Sequence, residues 1–169
     1  MFSKPIVLAS QSPRRKQLLE WAEVPFEVIV RATDEHYPGH LAVDEVPVYI
    51  ARRKAQAVQA AVKKDCIIIA ADTIVVLGNE IIGKPSDREH AIRILSQLSG
   101  QKHQVITGVV ITGGENEIAF SDITDVWFHE LSNEQIVFYV DKYKPYDKAG
   151  AYAIQEWIGV TGIKSIRGD

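Results

Sequence analysis

An aspartate set inside a run of β-branched and small residues is the strongest constraint this chain carries. The run Ile67-Ile68-Ile69-Ala70-Ala71-Asp72-Thr73-Ile74-Val75-Val76-Leu77 has the composition of a strand covered on both faces of a sheet. A carboxylate is costly to bury without a partner. Asp72 therefore either accepts bonds from a neighbouring donor as a structural group, or stands at the mouth of a cleft because chemistry needs it there. Gly78-Asn79 and a second short apolar run follow, the pattern of a hairpin, and then Lys84-Pro85.

The segments on either side predict alternating strands and helices. A short strand at Ile6-Val7-Leu8-Ala9 leads into Ser10-Gln11-Ser12-Pro13-Arg14-Arg15-Lys16, where Ser12 is a good N-cap and Pro13 fits a first helical turn. Leu18, Leu19 and Ala22 are expected to form the buried face of that helix. Its charges are misplaced: Arg14, Arg15 and Lys16 crowd the positive end of the helix dipole, a conflict that a bound anion would resolve. Residues 25–30 read as a strand, Thr33 to His36 as a polar loop, and residues 44–62 as a long helix with Pro47 in its first turn. Ser86 to Glu89 is read as a capping box before a helix that stops at Gly100. Residues 104–112 and 117–128 read as a hairpin turned at Gly113-Gly114. Ser132 to Gln135 caps a further helix, broken at Lys144-Pro145, and residues 150–155 read as a last strand. The result is a single α/β domain over residues 1–169, a mixed β-sheet with flanking helices.

Composition narrows the function. With a net charge of −3 the chain has no general basic surface, so nucleic acid is not expected as a partner and any affinity for anions must be local. The one cysteine, Cys66, excludes an internal disulfide and reads as inert core. The start of the chain is too short for a signal peptide and no apolar run approaches about 18 residues, so a cytoplasmic setting without membrane attachment is expected. There is no Gly-x-x-x-x-Gly-Lys-Ser/Thr loop and no Gly-x-Ser-x-Gly. The five histidines show no ligand spacing and receive no role.

Four polar stretches carry candidate chemistry, with Gln155 as a fifth. The Ser10 to Arg15 turn offers hydroxyls, backbone N–H groups and two guanidiniums suited to a phosphate chain. Glu35 and Asp72, if close in space, suit a Mg²⁺-type ion shared with phosphate oxygens. Lys54 and Lys84 suit charge developing on a leaving phosphate. Together these residues point to divalent-metal-assisted hydrolysis of a phosphoanhydride. Each has a plainer reading too: a solvated capped helix, a surface loop, an exposed lysine, a loop entry before a helix, a strand-end amide. Asp72 is the residue with fewest innocent explanations.

The motifs Leu8-Ala9-Ser10-Gln11-Ser12-Pro13-Arg14-Arg15, Ala51-Arg52-Arg53-Lys54-Ala55, Ala71-Asp72-Thr73-Ile74-Val75, Gly83-Lys84-Pro85, Leu98-Ser99-Gly100, His103-Gln104-Val105 and Asp147-Lys148-Ala149-Gly150-Ala151-Tyr152-Ala153-Ile154-Gln155 occur in this order. As a set they resemble the Maf family of nucleoside triphosphate pyrophosphatases. The resemblance implies an inosine-triphosphatase-like fold with the site in a cleft between two lobes. It also implies cleavage to the monophosphate and pyrophosphate with Mg²⁺ or Mn²⁺, and a possible homodimer. It places the catalytic base on Asp72, phosphate and substrate binding on Ser10, Arg14, Arg15, Lys54 and Lys84, and the metal on Glu35 and Asp72. The dTTP/UTP branch has its specificity positions at Arg14, Thr73 and Gln155, and a glutamine amide can pair with the O4 and N3–H edge of thymine or uracil. A sibling branch acting on 7-methyl-GTP, other modified nucleotides, and a nucleotide-sensing regulator of septum formation are the alternatives. The family also implies a Gly-Leu-Pro-containing segment and a closing helix beyond Asp169, which this sequence does not show.

Overall fold

The computed structural model describes residues 4–62 and 65–168. Its elements are β1 (Ile6–Leu8), α1 (Pro13–Trp21), β2 (Glu27–Val28), α2 (Val46–Ala61), β3 (Ile67–Leu77), β4 (Glu80–Ile82), α3 (Arg88–Leu98), β5 (Lys102–Gly113), β6 (Asn116–Phe128), α4 (Asn133–Tyr143), a 3-10 turn (Ala149–Ala151), α5 (Trp157–Thr161) and β7 (Ile163–Arg167). The strands form a sheet of order β2-β1-β3-β5-β6-β7, with β4 paired to β3. β1 runs parallel to β2 and β3, whereas β4 and β7 run antiparallel to β3 and β6. The α/β class with a mixed sheet is thus as expected. The chain divides into two compact units, Met1–Asp72 with Thr107–Ser121, and Thr73–Ile106 with Asp122–Asp169.

The first unit is built on α2. Its buried positions Pro47, Ile50, Ala51, Ala55 and Val58 recur at helical spacing and form one stripe. Ala51, Ala55 and Val58 of that stripe pack with Val7, Ile68, Ala70 and Val110 from the strands, and with the buried Cys66. Small residues allow close approach: the backbone of Pro47 and Val48 lies 2.2–2.7 Å from where a Cβ on Gly108 would stand. The expected buried face on α1 is not found. None of its residues is buried, and Leu18 and Trp21 are 59% and 71% exposed. The core is already filled by α2, and α1 is fastened instead through its polar first turn. The strand expected over 25–30 contracts to the exposed pair Glu27 and Val28, a short sheet edge with no continuous unpaired row.

In the second unit the β3–β4 connection is the two-residue turn Gly78-Asn79, with Leu77 opposite Glu80 and a positive φ of 61° at Gly78. The cap of α3 is Asp87 rather than Ser86. The Asp87 carboxylate accepts the His90 N–H at 2.8 Å, while the Ser86 hydroxyl donates to that carboxylate at 2.7 Å. An ionised acceptor outcompetes a hydroxyl for the first-turn amides. At α4 the expected box is complete: Ser132 Oγ accepts the Gln135 N–H at 3.3 Å and the Ser132 N–H reaches Gln135 Oε1 at 2.8 Å.

Residues 150–155 are not a strand. Gly150 and Ala151 both take positive φ, 69° and 57°, and Val75 packs where a Gly150 side chain would lie. Ala151, Tyr152 and Ala153 are then buried in succession, without the alternation of a strand, before a turn into α5. β7, antiparallel to β6 from Arg167 opposite Asp125, was not expected; its mostly exposed residues carry no apolar alternation.

His103 lies 1% exposed in this unit, edge-on to the rings of Phe128 and Tyr152, with Nε2 hydrogen-bonded to the Tyr152 hydroxyl at 2.7 Å. Its Nδ1 is buried without a partner. Burial lowers the imidazole pKa to about 4. A depressed pKa favours the neutral ring, so this stabilisation is full above about pH 6.5 and lost as the pH falls towards 4, on the order of 3 kcal/mol in all. Urea midpoints measured across that window should fall with pH, and His103→Gln should flatten the slope. An unchanged slope would show that His103 does not set it.

Candidate active site

The parallel pairing of β1 with β3, Leu8 opposite Ile69, sets the carboxyl end of β1 three residues before Asp72 along β3. Ser10, 8% exposed, follows β1 at this level. Its hydroxyl accepts the Ser12 N–H at 3.2 Å and Nη1 of Arg15 at 3.1 Å. The same Nη1 donates to the Ala71 carbonyl at 2.8 Å. Arg15 therefore bolts the first turn of α1 to β3 immediately before Asp72. Ligand sites in open α/β sheets form outside the carboxyl ends of parallel strands, and this cluster has that position relative to β1.

Asp72 is 14% exposed at its side chain, and Lys54 Nζ approaches its Oδ1 to 2.6 Å. Lys54 also lies 3.0 Å from Glu35 Oε1. Of the three consecutive cations on α2, it is Lys54 that faces Asp72 and Glu35. Arg52 pairs with Glu117 at 2.9 Å, and Arg53 reaches the His36 carbonyl at 3.4 Å. Glu35 sits in a loop shaped by Asp34, whose carboxylate accepts the His36 N–H at 3.0 Å and contacts the His36 ring. That local turn, an Asp two residues before its amide donor, is the sequence signal that marks the loop geometry here. The acceptor role of the Ala71 carbonyl had no side-chain signature at all.

Desolvation raises the Asp72 pKa above the ordinary carboxylate value, and Glu35 adds to this; the Lys54 ammonium and its hydrogen bond, with Arg15, pull it back. Burial lowers the pKa of Arg15, against the attraction of Asp72. The guanidinium stays charged regardless. The arrangement thus holds a largely buried carboxylate, its pKa raised by desolvation and pulled back by neighbouring cations, next to those fixed charges. It can take a proton from a nearby water and bind an anion beside it.

The structure brings together Ser10, Arg15, Glu35, Lys54 and Asp72 in the first unit. Arg14 is exposed on the first turn of α1, close enough to Arg15 to repel its charge. Thr73, Lys84 and Gln155 belong to the second unit. Thr73 follows Asp72 on β3, half-buried. Lys84 is exposed in the connection after β4, where the Gly83 carbonyl accepts the Gly150 N–H at 3.2 Å. Gln155 is exposed on a turn, not at a strand end.

Among the described residues no group of three or more His, Cys, Asp or Glu side chains forms a metal cage. Glu35 and Asp72 nevertheless share one cation, the Lys54 ammonium, as partner. Two hard oxygen donors converging on a cationic position fit a Mg²⁺-type ion that takes its remaining ligands from phosphate and water. Glu35 and Asp72 are the side chains that could hold it.

A family model described as "Maf-like protein" matches residues 5–169. A protein from Cytophaga hutchinsonii named dTTP/UTP pyrophosphatase is 51% identical over 164 residues, covering 97% of this chain and 75% of that protein. One of the same name from Bacteroides thetaiotaomicron is 49% identical over 164 residues, covering 96% and 85%. A crystal structure of a nucleoside-triphosphatase, a dITP/XTP pyrophosphatase, from Mycobacterium abscessus is 13% identical over 75% of each chain, with a TM-score of 0.45.

Proposed function

The chain belongs to the family of Maf-like proteins, and from that premise we propose that it hydrolyses nucleoside triphosphates, dTTP and UTP above others, to the monophosphate and pyrophosphate. The observation that carries this reading is the convergence of Asp72, Lys54 and Glu35 beside the Ser10 to Arg15 turn. Asp72 takes the proton from the attacking water, whose oxygen bonds to the α-phosphorus. The bond from that phosphorus to the bridging oxygen breaks, and its electron pair leaves with pyrophosphate. Ser10, Arg14 and Arg15 bind phosphate oxygens at the start of α1, and Lys54 and Lys84 neutralise charge as it builds on the leaving group. A divalent ion held by Glu35 and Asp72 would supply Lewis-acid stabilisation of that charge. Arg14, Thr73 and Gln155 select the base, the glutamine amide offering a donor and an acceptor to the O4 and N3–H edge of uracil or thymine. The proposed setting is the cytoplasm; among the described residues no helix is long and apolar enough to cross a membrane.

The test is to incubate the protein with Mg²⁺ and, separately, dTTP, UTP, CTP, GTP and 7-methyl-GTP, and to identify the products by chromatography. Monophosphate with pyrophosphate, formed fastest from dTTP and UTP, supports the proposal. Diphosphate with orthophosphate, or no turnover of any nucleotide, overturns it. The acid limb of the pH profile checks the role of Lys54. Activity requires ionised Asp72 and is lost as the pH falls through its pKa. Lys54 lowers that pKa, so Lys54→Met should move the acid limb of kcat/KM to higher pH and reduce the plateau by roughly 10²-fold. A reduced plateau with an unmoved limb would separate Lys54 from the ionisation of Asp72.

A further inference from the structure

Resting on the assignment of base selection to Gln155, we infer that Tyr139 is a positioning residue for pyrimidine recognition, its hydroxyl clamping both ends of the turn that carries Gln155. The Glu156 N–H donates to the Ala153 carbonyl at 3.1 Å, which closes a four-residue turn with Ile154 and Gln155 at its centre. Tyr139 on α4 is fully buried. Its hydroxyl accepts the Ala153 N–H at 3.2 Å and donates to Glu156 Oε2. One oxygen atom therefore grips the residue that opens the turn and the residue that ends it. The other Glu156 oxygen lies 3.5 Å from Lys148 Nζ, and Lys148 is itself held by Asp147 at 2.8 Å. α5 also lies close against the turn: a Cβ on Gly159 would fall 1.7 Å from the Ile154 carbonyl oxygen.

Core packing alone gives no reason for this hydroxyl. The ring already stacks on Tyr143, at 5.0 Å between centroids and 24° between planes, and phenylalanine would fill the same space while leaving the Ala153 N–H and the Glu156 carboxylate without this partner. None of the hydrolytic steps uses Tyr139 or Glu156. What the hydroxyl does is fix the backbone on both sides of an exposed amide side chain. A recognition group carried on a fixed turn loses less freedom when it binds, and it presents its donor and acceptor in one order.

The experiment is a steady-state comparison of Tyr139→Phe, Glu156→Gln, Glu156→Ala and Gln155→Ala with the unaltered chain, using UTP, dTTP and GTP, with thermal midpoints measured alongside. Tyr139→Phe should raise KM for UTP and dTTP about tenfold, a hydrogen bond to a charged group being lost from the turn, with the loss carried by KM more than kcat. The UTP-to-GTP ratio of kcat/KM should narrow by the same factor. Glu156→Gln keeps an acceptor for the tyrosine and should restore most of that ratio, whereas Glu156→Ala should resemble Tyr139→Phe. The double variant Tyr139→Phe/Gln155→Ala should lose no more selectivity than Gln155→Ala alone, because both act through one amide. If Gln155→Ala removes selectivity and Tyr139→Phe does not, the clamp is refuted while the role of Gln155 stands. If Gln155→Ala leaves selectivity intact, the assignment of Gln155 fails and the inference with it. An equal fall in kcat for all three nucleotides, with KM unchanged, also refutes the clamp.

Discussion

Asp72→Asn should lower kcat by about 10³-fold or more while leaving the fold intact. The substitution preserves shape and keeps an oxygen for the Lys54 ammonium 2.6 Å away, but an amide cannot take the proton of an attacking water. General-base catalysis alone contributes roughly 10²–10⁴-fold, and the variant also loses half of the carboxylate pair proposed to hold the metal. Stability should not suffer at neutral pH. The Asp72 pKa is raised in the folded chain, so its contribution to stability is present at low pH and is lost as the pH rises through that pKa. Removing the carboxylate therefore takes away no stabilisation at a pH above that pKa. Turnover assays with equilibrium denaturation separate the two quantities. An Asp72→Asn protein with substantial turnover would assign the base elsewhere, and an inactive one that still binds UTP would keep phosphate recognition apart from chemistry.

Gly108→Ala should destabilise the chain by about 3 kcal/mol, at the upper end of the usual range for overpacking. The new methyl would stand 2.2 Å from the Val48 nitrogen, 2.3 Å from the Pro47 carbonyl carbon and 2.7 Å from its oxygen. These are backbone atoms at the start of α2, so no side-chain rotation relieves the contact and the helix itself must shift. Lys54 lies seven residues after Pro47, two turns along the same helix, so the displacement should reach its contacts with Asp72 and Glu35. Loss of stability should be accompanied by lower kcat/KM. Gly39→Ala is the comparison, because nothing lies within 4 Å of a Cβ there, and its denaturation midpoint should match the parent. Equal midpoints for the two variants would show that β5 and α2 separate without cost.

The parts of the fold that were legible in advance are those whose signals are local. Gly78-Asn79 between apolar runs, Ser132 with Gln135, and Pro47 in the first turn of an alanine-rich helix each satisfy their own backbone within a few residues, so the sequence window contains the whole argument. The same holds for Asp72 and the Ser10 to Arg15 turn, where a carboxylate among apolar residues and cations at a helix start each break a local rule. What could not be read depends on distant partners. Residues 150–155 have strand-like composition, but Val75, 75 positions before Gly150, occupies the space that makes a glycine with positive φ necessary there. β7 forms because β6 offers it an edge, not through any pattern in its own residues. The apolar side chains of α1 look buriable until α2 is seen to fill the core. Lys54 could be placed on a helix from the sequence, but its choice over Arg52 and Arg53 rests on where Glu117 and His36 lie.

The way α1 is attached has a further consequence. Beyond the Arg15 bonds to Ser10 and the Ala71 carbonyl, α1 has no residue in the core and carries Arg14, Arg15 and Lys16 at the wrong end of its dipole, so little past its first turn holds it in place. Its opening should therefore cost less free energy than unfolding of the unit that carries it, and its amides should exchange with solvent among the fastest of any helix in the chain. Binding of a phosphate chain at its first turn would screen the repulsion and draw the helix closed, by an amount set by ligand concentration relative to Kd. Hydrogen exchange along Pro13–Trp21 then becomes a gauge of occupancy that needs no turnover, and it can be read in a catalytically silent protein.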